Sequence, residues 1–130
     1  MSARNVEGVS IQKLSNLILE NVVHENVELD VVKLHEIKAA NTSLIQESKY
    51  GVLVDSHPSS TITKEGRELT SSKEFQQRTI AKALLIRSMP HRLVGKIYIK
   101  LNKPHITTKI FDDRKKALEW LENQVEQTQY

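Results

Sequence analysis

The residue types of a nucleophilic triad stand side by side at Asp55-Ser56-His57. Such a triad works through geometry: the base must reach the nucleophile and the carboxylate must orient the base. Neighbours at a strand end point in divergent directions, so the tripeptide reads as a polar exit from a strand into a loop. The histidines are His24, His35, His57, His91 and His105, and no two have the three- or four-residue spacing that brings two imidazoles onto one metal. There is no cysteine, which excludes disulfides, thiolate zinc sites and cysteine nucleophiles. Gly8, Gly51, Gly66 and Gly95 are too dispersed for a dinucleotide fingerprint or a P-loop. Asp112 and Asp113 sit where helix-capping acids are expected. The sequence therefore nominates no catalytic residue, no metal ligand and no cofactor.

Charge is more informative. Formal net charge is only +3, yet no acidic residue occurs between Phe75 and Phe111. Arg78, Lys82, Arg87, Arg92, Lys96, Lys100, Lys103 and Lys109 all fall in that stretch. Arg92, Lys96, Lys100 and Lys103 recur at steps of four, four and three and line one side of a helix, whereas Leu93, Val94, Ile97 and Leu101 line the other. A basic stripe suits an acidic partner, phosphates or an anionic membrane surface, and it also describes a solvated face whose lysine stems cover apolar surface. Tyr98 is the one nearby aromatic able to stack on a base, which argues against nucleic acid.

The elements that must position these residues follow from periodicity. Val9–Lys13 alternates, Leu17–Val23 is rich in strand formers, and a tight turn at Leu14–Asn16 would pair them. Asp30 is a good N-cap for a helix to about Gln46, with Val31, Leu34, Ile37, Leu44 and Ile45 in its apolar stripe. Tyr50–Asp55 reads as a buried strand and Ser56–Thr61 as a loop. Thr63 caps a short helix through Leu69, and Ser71 with Glu74 forms a capping box that predicts another through Arg78. Ile80–Ile86, interrupted by Lys82, is a strand. Ser88 caps a helix to about Leu101, with Pro90 in its first turn and Gly95 inside it, a glycine that disfavours the helix by about 1 kcal/mol relative to alanine. Thr107–Phe111 is the last strand, and Asp112 or Asp113 caps a final helix buried through Ala117, Leu118, Leu121 and Val125, with Trp120 at the margin. The order β-β-α-β-α-α-β-α-β-α predicts an α/β fold with a mixed, mainly parallel sheet of four or five strands flanked by helices.

With 130 residues, 38% hydrophobic and 27% charged, the chain suits one domain, 1–130, whose first eight residues are expected to fray. No apolar run approaches the ~20 residues that span a bilayer, and Met1–Gly8 lacks the apolar core of a signal peptide, so a cytoplasmic location is expected.

Several runs carry a resemblance. Ala83-Leu84-Leu85-Ile86, Ser88-Met89-Pro90-His91-Arg92-Leu93-Val94-Gly95-Lys96, Thr108-Lys109-Ile110-Phe111 and Ala117-Leu118-Glu119-Trp120-Leu121 resemble a group of small bacterial proteins. Val52-Leu53-Val54-Asp55 and Ile62-Thr63-Lys64-Glu65-Gly66-Arg67 look like theirs too, and coverage runs roughly from Leu17 to Leu121. These are uncharacterised STAS-like (SpoIIAA-like) proteins, common among Bacteroidota, with the fold of anti-sigma-factor antagonists. The resemblance implies a mixed sheet flanked by helices and a regulatory module that binds another protein or a second copy of itself. In phospho-regulated STAS proteins a serine in an Asp-Ser-Ser-Gly motif accepts phosphate at a helix start. If Gly66 matches that glycine, Lys64 stands at the acceptor position, and this chain departs from the phospho-switch.

Three readings stay open. The first is a non-catalytic STAS-like interaction module using Asp55, Ser56, His57, Ser59, Thr63, Lys64 and Arg67. The second is a domain that binds a small apolar or anionic, lipid-like ligand between helices and sheet. The third is an anionic-surface binder using Arg92, Lys96, Lys100 and Lys103. None involves nucleic acid or membrane insertion.

Overall fold

The computed structural model describes residues 3–46 and 48–128. In chain order the elements are β1 (Ala3–Val6), β2 (Val9–Ser15), β3 (Ile18–Val23), β4 (Glu28–Leu29), α1 (Val31–Leu44), β5 (Tyr50–Ser56), β6 (Thr61–Ile62), α2 (Lys64–Ser71), β7 (Thr79–Leu85), α3 (Met89–Asn102), β8 (Thr107–Phe111) and α4 (Arg114–Thr128). Six strands form one sheet in the order β1-β2-β3-β5-β7-β8. The first three pair antiparallel, and β3, β5, β7 and β8 run parallel. The short strands β4 and β6 make a separate parallel pair.

The mixed, mainly parallel α/β architecture matches the expectation, with six strands in the main sheet where four or five were anticipated. Of the stretch 1–8 expected to fray, residues 1–2 lie outside the described residues, and Ala3–Val6 pairs along β2 as an edge strand. Gly8, at φ 80°, supplies the left-handed turn that returns the chain.

Period-two alternation divides the sheet into two cores. On one face Val9, Ile11, Leu19, Val23, Tyr50 and Val52 pack against Ile37, Leu44 and Ile45 at α1. On the other, Ile18, Leu53, Ala81, Ala83 and Leu85 receive Ala117, Leu121 and Val125 of α4. The small side chains of Ala81 and Ala83 let α4 lie close. At Gly51 a Cβ would stand 3.2 Å from Val125 and 3.3 Å from Leu121. Glu20, nearly buried on this face, is held by Arg114 at the start of α4, with Nη2 and Nε both 3.1 Å from the same oxygen. On the α1 face, Asn21 and Asn41 bond reciprocally through their amides at 2.8 and 3.2 Å, so two buried polar groups satisfy each other.

The caps mostly follow the sequence. Asp30 accepts from the Lys33 amide, Thr63 from Gly66 and Asp113 from Lys116. Two expectations are corrected. Ser71 starts no helix: it is the last residue of α2, its own backbone still helical, and its hydroxyl donates back to the Arg67 carbonyl and lies 3.0 Å from the Tyr98 oxygen. Ser72 instead accepts from the Phe75 amide, and 73–78 is a run of turns. Ser88 precedes α3, as expected, but bonds the His91 ring rather than an amide of the first turn.

The orientation of α3 departs further. Amphipathic patterning would place Leu93, Val94, Ile97 and Leu101 against the core, yet these residues are 55, 63, 56 and 73% exposed. The helix instead approaches the sheet through Gly95, where a Cβ would come within 2.9 Å of Ile110 and 3.1 Å of Ile86. That narrow contact turns the apolar stripe outward.

Candidate functional site

Because α3 meets the sheet mainly around Gly95, the layer of α1, α2 and α3 does not close on the sheet. A chamber of ≈ 810 Å³ lies between them, within the range of small-molecule pockets. Its floor is the helix-facing side of β5 and β7, including Val52, Val54, Lys82, Leu84 and Ile86. Leu34, Ile37, Lys38 and Asn41 of α1 form one wall, Phe75 and Gln76 another, and Val94, Ile97, Tyr98 and Leu101 line the α3 side. Tyr98 ties that side to α2, its hydroxyl lying 2.9 Å from Thr70 Oγ1 and 3.0 Å from Ser71 Oγ.

The chamber runs the length of the parallel strands. At the ends where they begin lie Tyr50 and Thr79, the first residues of β5 and β7. Where they finish lie Ser56, His57, Ile86 and Arg87. The lining is mostly apolar, and its charge is unbalanced. Lys38, Lys64, Arg67, Lys82 and Arg87 face one carboxylate, Glu68, among the described lining residues.

Lys82 is the unusual member. It sits on a central strand, paired with Val52 and flanked on its own face by Leu84, in a position that a β-branched or aliphatic residue would normally take. Among the described residues no carboxylate comes within ion-pair reach of it. Burial, with a smaller contribution from Lys38, pushes its pKa down to about 8. Lys38 is also lowered to about 8, by burial first and by the Arg78 guanidinium second. Its ammonium lies 5.4 Å from the Tyr50 ring centre and 5.5 Å from that of Phe75, and donates to Thr79 Oγ1 at 3.3 Å.

Two polar atoms at the buried end are unsatisfied. The Tyr50 hydroxyl and Gln76 Nε2 have no hydrogen-bond partner among the described residues, although the Gln76 oxygen accepts from the Ile106 amide at 3.2 Å. Burial pushes the Tyr50 phenol up to about 12; nearby Arg78, Thr79 and Asn41 pull the other way, but neither Thr79 nor Asn41 completes a hydrogen bond to it. A buried donor without an acceptor costs about 1–3 kcal/mol, which a water or a ligand atom in the chamber would relieve.

The structure disperses the residues picked from the sequence. Asp55 and Ser56 point to opposite faces of β5. Asp55 is paired with Arg87 at 2.8 Å, whereas Ser56 lines the chamber. His57 accepts from the Ser59 amide at 3.1 Å and lies 2.8 Å from the Ser59 hydroxyl, which accepts from the Asn26 amide at 2.8 Å. Its ring is thereby locked into a turn. Thr63 is the α2 cap, Lys64 opens that helix, and Arg67 donates to the Ile62 carbonyl at 3.3 Å. Ser56, His57, Lys64 and Arg67 share the chamber wall; Asp55, Ser59 and Thr63 do not line it. In the basic helix, Arg92 donates to the carbonyls of Ile86 and Arg87 at 3.2 and 2.8 Å and is half-buried, whereas Lys96, Lys100 and Lys103 are exposed. Trp120 packs on Phe111 on the opposite sheet face, 5.6 Å between ring centres.

Sequence reasoning missed Lys38, Lys82, Tyr50 and Gln76. A signal for Lys82 existed: in Ile80–Ile86 it shares a face with Ile80, Leu84 and Ile86, a cation on the inward side of a central strand.

A family model described as a domain of unknown function, DUF7793, matches residues 12–125. The chain belongs to that family. None of the curated proteins compared matches it. The fold is similar to the crystal structure of an uncharacterised protein of the DUF3478 family with a SpoIIAA-like fold, from Shewanella loihica PV-4. That similarity has a TM-score of 0.61 at 12% identity, over 91% of this chain and 97% of that one. It supports the STAS-like fold expected from the sequence and extends to nothing beyond the fold. Among the described residues no helix is long and apolar enough to cross a membrane.

Proposed function

We propose that this chain is a non-catalytic, cytoplasmic STAS-like binding module whose chamber takes a small amphipathic anion. The observation that carries the reading is a lysine on the inward face of a central strand, without a carboxylate partner among the described residues, in a mostly apolar chamber whose charge is predominantly basic. A half-buried cation with no counter-charge is unfavourable in the free protein, and an anionic ligand supplies that charge. The unsatisfied Tyr50 hydroxyl and Gln76 amide offer donors at the buried end, and the aliphatic walls suit a hydrocarbon body. A carboxylate or sulfonate on an apolar chain fits this chemistry.

The geometry favours this reading over a protein-binding loop. The turn locked by His57 and Ser59 and the cap at Thr63 use hydroxyls and rings for local structure. Regulation through a protein partner is compatible with it, because Ser56, His57, Lys64 and Arg67 belong both to the chamber wall and to the segment a partner would meet.

The test uses anilinonaphthalene sulfonate, an apolar anion that fluoresces when desolvated, titrated into the intact chain and displaced with decanoate. Stoichiometric binding that decanoate reverses, weakened at least tenfold in Lys82→Met, is expected. Absence of binding, or equal affinity in Lys82→Met, overturns the assignment.

A further inference from the structure

The outward side of α3 points to a second activity. Met89, Leu93, Val94, Ile97 and Leu101 are 63, 55, 63, 56 and 73% exposed. At 100° per residue, the last four and Pro90 fall within one arc of about a quarter turn, so the aliphatic side chains form a continuous ridge rather than scattered exposures. Beside that arc, Lys96, Lys100 and Lys103 are exposed on the adjacent strip. No acidic residue interrupts the chain from Phe75 to Phe111. A ridge this apolar is not left in water without a reason.

We propose that α3 is a docking helix for an anionic bilayer surface, lying in the interface with its aliphatic ridge among the acyl chains and its lysines among the headgroups. Charge complementarity selects this occupant. Lysine is depleted in the cores of protein interfaces, which favour aromatic residues and arginine as anchors; the aromatic at the edge of this face, Tyr98, is tied to Thr70 and Ser71, and its one arginine neighbour, Arg92, is spent on the Ile86 and Arg87 carbonyls. Lysines flanking an aliphatic arc are instead the composition of helices that lie on membranes, where the long stems reach up to the phosphates. Docking of this kind needs no spanning segment. The ridge is also continuous with the chamber, since Val94, Ile97 and Leu101 line both, and so a helix seated on a bilayer would place the apolar chamber wall against lipid.

The experiment is co-sedimentation of the intact chain with phosphatidylcholine vesicles, with and without phosphatidylglycerol. Binding to the anionic vesicles is expected, with little to the zwitterionic ones and steep loss at high salt. Lys96→Glu with Lys100→Glu should reduce partitioning by about tenfold or more. Leu93→Glu with Ile97→Glu should abolish it, and because both positions are exposed the variant should keep its circular dichroism and melting temperature. Lys82→Met should bind vesicles like the unaltered chain, which separates failure here from failure of the chamber reading. No binding to anionic vesicles overturns the proposal, as does undiminished binding by the Leu93→Glu, Ile97→Glu variant. If light scattering finds a dimer that this variant dissociates and vesicles are not bound, the ridge seats a second copy and the proposal falls.

Discussion

Replacing Lys82 with methionine removes the ammonium while keeping a side chain of similar length on the chamber floor. The pKa lowered from 10.5 to about 8 means that the fold holds the charged form less well than water does. At roughly 1.4 kcal/mol per pH unit, the full shift corresponds to about 3 kcal/mol. Water reaching the half-buried side chain through the chamber screens part of this, leaving on the order of 1–2 kcal/mol. The sign follows from proton linkage: between pH 8 and 10.5 the unfolded chain binds more protons at this site than the folded one, so folding stability rises with pH across that window. Below pH 8 the penalty is fully present. Lys82→Met should therefore raise the melting temperature at pH 7 by roughly 3–8 °C for a domain of this size, and the gain should shrink towards nothing by about pH 10.5. Thermal unfolding followed by circular dichroism at several pH values reads both quantities. A variant less stable at pH 7, or a gain unchanged at high pH, would refute the claim that Lys82 is an unpaired cation held for a ligand.

Binding of anilinonaphthalene sulfonate, whose charge does not change in this range, should weaken as pH rises through about 8, because the ammonium forms of Lys82 and Lys38 are the ones that attract it. Calorimetry near pH 8 should show proton uptake on binding, and a flat profile would exclude both lysines from the contact. Gly66→Ala should destabilise by about 1–2 kcal/mol despite alanine's better helix propensity, since its Cβ would stand 2.8 Å from the Leu29 carbonyl oxygen and 3.0 Å from Leu34. Gly95→Ala meets only the mobile ends of Ile110 and Ile86, and chemical denaturation should find it within about 1 kcal/mol of the parent. Arg114→Ala strands the nearly buried Glu20 carboxylate and should lower the unfolding free energy by about 2 kcal/mol. The Asp55–Arg87 pair, whose arginine side chain is 56% exposed, should contribute under about 1 kcal/mol in the same assay.

Local chemistry made much of this fold legible in the sequence. Asp30, Thr63 and Asp113 announce their helices because a capping oxygen bonds amides two or three residues away, an interaction the chain carries wherever it goes. Runs such as Tyr50–Asp55 and Thr107–Phe111 carry strand-forming residues, and strands alternating with helices leave few ways to build a sheet. Where a local signal met a competing element, it lost: Ser71 has the spacing of a capping box, but α2 runs through it and the next residue, Ser72, accepts the amide bond instead. The edge strand Ala3–Val6 forms through pairing with β2, which nothing in its own four residues specifies. The site was the least legible part, because it depends on distances between elements. Sequence alone determined that Lys82 interrupts an apolar strand and that lysines accompany an aliphatic stripe on the helix after it. Only tertiary structure decided that α3 seats on the sheet through Gly95, a contact small enough to leave a chamber beneath the helix and to turn its aliphatic side outward. Periodicity specifies which residues share a face of a helix, but not towards which medium the fold rotates that face.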